Sequence, residues 1–245
     1  RKTQRHGGVV PLMGAEKRLF AIDDLHLSLY NEKPMSIFGK NWINHHKKIE
    51  ENWKSTVTDN DTVLIPGDIS WAMTLEEAMP DLEFINSFPG RKILLKGNHD
   101  YWWGSISRLN SMFENMDFLQ NDFFVWENFA VCGSRGWLAP SAPNFKPEDE
   151  RPYKRELKRY RLSLEAAKRK KMDNIIFMSH YPPVYCGGAK TEFSAILEEF
   201  GVKKAVYGHL HGKENFDYGQ QGEGNNIEYS LVSSDYLDFT PKRII

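Results

Sequence analysis

Five short apolar runs in this chain each end, with almost no spacer, in side chains able to bind a metal ion. Leu19-Phe20-Ala21-Ile22 leads into Asp23-Asp24-Leu25-His26, and Thr62-Val63-Leu64-Ile65 into Pro66-Gly67-Asp68. Lys92-Ile93-Leu94-Leu95 leads into Gly97-Asn98-His99-Asp100, and Ile175-Ile176-Phe177-Met178 into Ser179-His180. Lys204-Ala205-Val206-Tyr207 leads into Gly208-His209-Leu210-His211. Such runs predict strands. Between them the apolar residues recur every three or four positions over 41–57, 75–87, 106–113, 151–171 and 192–200, which predicts helices. Further strands are expected at 123–126 and 129–132, joined by a Glu127-Asn128 turn, and at 227–232. Strands alternating with helices make an α/β fold. In open sheets of this kind ligands bind outside the carboxyl ends of the strands, so the polar side chains converge there.

Composition narrows the setting. The chain has 245 residues, with 32 Lys plus Arg against 33 Asp plus Glu, so no overall positive field marks it as a nucleic-acid binder. Two cysteines, Cys132 and Cys186, make neither a disulfide framework nor a four-thiolate zinc site. A reducing, cytoplasmic setting is expected. No apolar run reaches the length of a membrane span. Residues 1–17 read as a leader or expression remnant without function, with Met13 as a possible initiator, and 18–245 as a single domain.

The converging set is Asp24, His26, Asp68, Asn98, His99, His180, His209 and His211. Carboxylate and imidazole without sulfur suit Mn, Fe, Zn, Co or Ni. The set is too large for one ion and about right for two, with a carboxylate between them. Asp24/His26 and His209/His211 are i, i+2 pairs, which share a face in extended chain. Gly67, Gly97 and Gly208 let the backbone turn sharply just before the ligands. Any one of these pieces is a common turn. Five in this order, each after a strand, specify a metal site.

The pattern D-x-H, G-D, G-N-H-D, H and G-H-x-H resembles the calcineurin-like metallophosphoesterase superfamily, from about Leu19 to the end, with every block intact. The resemblance implies a four-layer α/β/β/α sandwich with a dinuclear site at one edge of two sheets. It places Asp24, His26 and His211 on one ion, Asn98, His180 and His209 on the other, and Asp68 between them. His99 would face the substrate, with Asp100 orienting it. The implied reaction is phosphate-ester hydrolysis by a metal-bridging hydroxide, with Mn²⁺ the first candidate ion. The chain departs from protein phosphatases, which carry an Arg after the second motif, and from lipid A pathway pyrophosphatases, which resemble G-N-R-D. It is also short for a double-strand-break nuclease. The bacterial predicted phosphohydrolase group remains, with phosphorylated small molecules or nucleotides as substrates, cleaved as diesters or monoesters. A non-catalytic binding module on the same fold is the alternative, which the complete ligand set disfavours.

Residues around this core carry two readings each. Trp71 and Trp102-Trp103 follow the second and third motifs and could stack a base or aryl ester, or pack the sheet–helix junction. Arg135 lies between glycines and could fork onto a phosphate or form a salt bridge. Asp23 reads as a support for the metal ligands, and His45-His46 as structural or surface histidines. Cys186 falls near the His180 loop. The segment Arg151–Lys171 holds ten basic residues against Glu156 and Glu165, a net +8, with Leu157, Tyr160, Leu164 and Ala167 as its apolar stripe. A solvated face is the simple reading; a nucleic-acid phosphodiesterase using this helix is the other.

Overall fold

The computed structural model describes residues 16–245 apart from Glu32, Pro34, Cys186, Gly188 and Ala189. The expectations for 1–15 and for Cys186 therefore lie outside the described residues. In chain order the elements are β1 (Leu19–Ala21), α1 (His45–Thr56), β2 (Thr62–Ile65), α2 (Leu75–Asn86), β3 (Arg91–Leu95), α3 (Ile106–Leu109) and β4 (Met116–Leu119). There follow β5 (Phe123–Trp126), β6 (Phe129–Ser134), α4 (Glu150–Arg169), β7 (Ile175–Ser179), α5 (Glu192–Glu199) and β8 (Lys204–Tyr207). The chain ends with β9 (Gly222–Gly224), β10 (Ile227–Leu231) and β11 (Lys242–Arg243).

These strands make two sheets, ordered β11-β1-β2-β3-β4 and β5-β6-β7-β8-β10-β9. The central strands of each are parallel, and the antiparallel partners β11, β5 and β9 sit at edges. Side-chain alternation builds the layers. In and just after β1, Phe20 and Ile22 pack with Ile49 and Trp53 of α1 and Leu82 of α2, while Leu19 and Ala21 face the other sheet. In β7, Ile175 and Phe177 pack with Tyr160 and Leu164 of α4 and Phe193 of α5, while Ile176 and Met178 face inward. Strands buried on both faces read as continuous apolar runs, as these do. The result is the expected four-layer α/β/β/α sandwich.

Helix ends follow local chemistry. Thr74 and Glu77 form a reciprocal capping box at the start of α2, as Thr191 and Ser194 do for α5. Two helices are shorter than expected. Asn44 sits in the left-handed region at φ 53°, so α1 begins at His45, preceded by a 3₁₀ turn at Lys40–Trp42. The 106–113 stretch keeps one helical turn. Strands β4, β9 and β11 were not expected: β9 and β11 have only three and two residues, and Asp117 interrupts the apolar run of β4. No described helix is long and apolar enough to cross a membrane.

Candidate metal centre

The connections that leave the carboxyl ends of β1, β2, β3, β7 and β8 bring the blocks of the motif to the same edge. Asp24 and His26 follow β1, Asp68 follows β2, Asn98 and His99 follow β3, His180 follows β7, and His209 and His211 follow β8. The loops are laced to each other by backbone bonds: Asp24 N–H donates to Gly67 O (3.2 Å), His26 N–H to Asp68 O (2.9 Å) and Gly208 N–H to His180 O (3.1 Å). Four of the twelve non-glycine residues with positive φ among those described are Asp24, His26, Asp68 and His209. Such conformations cost energy and persist where the surroundings over-determine them, often at functional sites.

Each key carboxylate divides its oxygens. Asp24 Oδ2 accepts the His209 N–H (2.8 Å), and Asp68 Oδ1 accepts the His99 N–H (2.8 Å). That leaves Asp24 Oδ1 buried with no hydrogen-bond donor, 3.3 Å from His211 Nε2 and 3.8 Å from His26 Nε2. The two imidazole nitrogens are 3.2 Å apart. Asp68 Oδ2 lies 3.8 Å from His26 Nε2 and 3.3 Å from His180 Nε2, so it stands between this trio and a second group, Asp68, His180 and His209. Asn98 Oδ1 is 2.8 Å from His180 Nε2.

The second nitrogen of two histidines is anchored. His180 Nδ1 faces Asp23 Oδ2 at 3.1 Å, and His211 Nδ1 faces Asp235 Oδ1 at 3.0 Å. With the proton on Nδ1, each Nε2 presents a lone pair to carboxylate or amide oxygen. Lone pairs facing lone pairs are repulsive unless a cation lies between them. Ligands about 2.0–2.2 Å from a shared ion lie roughly 3 to 3.5 Å apart, close to the separations seen. The donor set therefore fits two divalent ions. Without ions the site gathers protons instead. Burial opposes charge on His211, yet Asp24 and Asp235 push it up to about 10. Burial likewise opposes charge on His180, and Asp68 and Asp23 hold it well above its ordinary value. His26 and His209, with less compensation, are lowered by burial to about 4 and about 3.

Glycine is required where these loops cross. A Cβ on Gly97 would lie 2.1 Å from Asp68 Oδ1, and one on Gly208 would lie 1.9 Å from Asp23 Oδ2. Both are needed for close approach beneath the carboxylates.

His99 is half-buried, and its ring nitrogens have no hydrogen-bond partner among the described residues. The ring lies 4.5 Å from that of Trp71, which also stacks on His26 at 4.8 Å. Burial lowers its pKa, partly countered by Asp68. Asp100 does not orient it, contrary to the expectation. The Asp100 carboxylate is fully buried and accepts from Ile69 N, Ser70 N and Trp102 Nε1 on one oxygen and from Gly97 N on the other. It clamps the second and third loops together. Trp102 is likewise no part of a substrate wall: it is 3% exposed and packs with Trp103 and Phe118. Trp71 alone of these indoles touches the site histidines.

Arg135 lies against buried Glu156 (3.5 Å) and over the Trp137 ring (4.7 Å), so it is neither a surface pair nor free. Its carbonyl accepts the N–H groups of His180 and Tyr181, which positions that loop. His45 is structural, with its nitrogens against the carbonyls of Trp42 and Leu25. Five of the ten basic residues of 151–171 are taken up in ion pairs, with Glu150, Glu156, Glu199 and Asp173. Asp235 was missed. It follows β10 by a few residues with no ligand motif to mark it, and the pairing of β10 with β8 is what brings it behind His211.

A family model described as calcineurin-like phosphoesterase matches residues 19–213. No curated protein sequence gives a significant match. Among solved structures, phosphopantetheinyl hydrolase from Mycobacterium tuberculosis aligns at 15% identity over 95% of this chain and 97% of its own, with a TM-score of 0.59. NAD nucleotidase from Haemophilus influenzae aligns at 17% identity over 82% of this chain and 40% of its own, with a TM-score of 0.40. A protein of unknown function from Aquifex aeolicus aligns at 15% over 93% and 96%, with a TM-score of 0.46. The family match spans both donor groups and the loops that carry them: the chain belongs to the calcineurin-like phosphoesterase family and is a metal-dependent phosphohydrolase.

Proposed function

We propose that this chain hydrolyses phosphate esters of small molecules, as a phosphodiesterase or phosphomonoesterase. In this reading Asp24, His26 and His211 hold one ion, Asn98, His180 and His209 the other, and Asp68 bridges. The observation that carries it is Asp68 Oδ2, placed between two donor groups with its other oxygen fixed by the His99 N–H. Mn²⁺ is the first ion to test, on the sulfur-free O/N donor set. Two such ions would lower the pKa of a coordinated water toward neutral and would supply positive charge for the phosphoryl oxygens. Asp23 and Asp235 hold His180 and His211 in the tautomer that keeps Nε2 free. His99, with free ring nitrogens beside the centre, gives a hydrogen bond or proton to the leaving oxygen. Trp71 walls off one side of His26 and His99. The pairing of half the basic helix within the protein favours small substrates over nucleic acid.

The test is turnover of bis-p-nitrophenyl phosphate and p-nitrophenyl phosphate by protein reconstituted with Mn²⁺, with an EDTA control. Chelator-sensitive hydrolysis is expected, and its diester-to-monoester ratio sets the class. His99→Gln should lower turnover by roughly 10²- to 10⁴-fold with both ions still bound. No hydrolysis by protein with two ions bound refutes the reading. A steep fall of activity on an oligonucleotide with added salt would restore the nucleic-acid reading.

A further inference from the structure

A cleft of about 660 Å³ adjoins the metal centre, with His209 and His211 in its lining. Its walls come from the loops after β6, β7 and β8: Leu138, Ala142, Pro143, Pro182, Tyr185 and Tyr218. Most of that wall is carbon. Two of its polar side chains are engaged elsewhere. The Tyr185 hydroxyl accepts the Ala139 N–H at 3.0 Å, and Asn215 Nδ2 donates to the His211 carbonyl at 2.7 Å. Among the described residues, Ser141, Asn144 and the hydroxyl of Tyr218 at the exposed rim are the polar side chains left on the lining without such bonds.

We infer that this cleft takes the organic arm of the substrate, and that the arm is apolar: an alkyl or aryl alcohol esterified to the phosphate. This rests on the phosphoesterase reading and deepens it. A cleft that begins at two metal-ligand candidates is reached by whatever is attached to a phosphoryl group bound there. A nucleoside or sugar brings several hydrogen-bonding groups that this wall would strip of water without replacing, at a cost for each. An alkyl or aryl arm loses only its contact with water, which favours binding. A largely apolar pocket with few polar groups is the usual form of a site that grips the apolar part of a ligand.

The experiment is calorimetric titration of the Mn²⁺-loaded protein with methyl-, butyl- and octylphosphonate, whose C–P bond is not hydrolysed. Burial of methylenes should tighten binding by about two- to fourfold each, hence roughly tenfold or more from methyl to butyl. Leu138→Ser and Tyr218→Ser should each shrink the butyl-to-methyl ratio. Tyr218 is 52% exposed, so its replacement leaves the core intact. Affinity independent of chain length, or a ratio unchanged in both variants, overturns the inference. So does tighter binding of the methylenephosphonate analogue of AMP than of octylphosphonate. Chain-length-dependent binding without turnover of any p-nitrophenyl ester would remove the phosphoesterase reading and leave the cleft. Turnover with flat binding would do the reverse.

Discussion

Asp235→Asn tests whether the carboxylates behind the histidines hold the metal centre in shape. The Asp235 side chain is 3% exposed and accepts two donors, His211 Nδ1 on one oxygen at 3.0 Å and Gly212 N–H on the other at 2.9 Å. An amide of the same shape has one acceptor oxygen, so its NH₂ must face one of those donors. If it faces Gly212, a buried N–H loses its partner. If it faces His211, the imidazole must move its proton to Nε2, where the lone pair for the ion should be. Either way a charge-assisted bond worth about 1.5–3 kcal/mol is lost. Loss of such a support weakens metal affinity by about 10- to 100-fold, equivalent to roughly 1.4–2.7 kcal/mol. The effect should fall on one ion, because His180 is anchored separately by Asp23. Competition of Mn²⁺ against a fluorescent chelator resolves the two dissociation constants. One should rise by that factor while the other changes little. Two unchanged constants would refute the role of Asp235, and equal weakening of both would show that it acts on the fold at large.

Gly97→Ala should cost roughly 3 kcal/mol, read by urea unfolding, because its Cβ would lie 2.1 Å from Asp68 Oδ1 and 2.2 Å from Asp68 N. Asp61 gives a pH signature: burial opposes its charge, but bonds from Arg18 and Thr58 outweigh it and hold it down to about 2. A depressed carboxylate stabilises above its unfolded value near 4 and stops doing so as pH falls through about 2, so the wild-type advantage over Asp61→Asn, about 2 kcal/mol at pH 5 and above, should shrink between pH 4 and 2. Ions that bind only the folded chain at 1,000 times their dissociation constant should each add about 4 kcal/mol. EDTA should therefore lower the Tm by roughly 10 °C per ion by calorimetry.

The site was legible to the extent that its chemistry is local in sequence. Asp24, His26, Asp68, His180, His209 and His211 each follow a strand directly, and the strands are apolar enough on both faces to be recognised. Contacts that depend on the partner's backbone were not legible. Asp100 follows His99 in the chain, which suggested that it serves His99, but its acceptors are filled by amides from the loop after β2 and by an indole two residues on. Trp102 is buried by that same clamp. Asp235 is one of two aspartates in the stretch 235–238, and only the pairing of β10 with β8 brings it behind His211. The start of α1 was misplaced because a single left-handed residue, Asn44, interrupts an apolar period that continues across it.

The carboxylates explain why fold and site are one network here. Asp24 and Asp68 each spend one oxygen on the backbone of another loop, and that bond turns the second oxygen toward the histidines. The left-handed backbone at Asp24, His26, Asp68 and His209 is held by the same cross-loop bonds, so relaxing it would unlace the loops. Asp100, with no place against His99, ties the second loop to the third by the same device of one carboxylate shared among backbone amides. A metal ion, or in its absence a proton, satisfies the oxygen and nitrogen lone pairs left facing each other at the centre. The geometry that positions His99 is therefore fixed by interactions that do not involve a substrate. It is a preformed centre, in which binding energy need not be spent on ordering these loops.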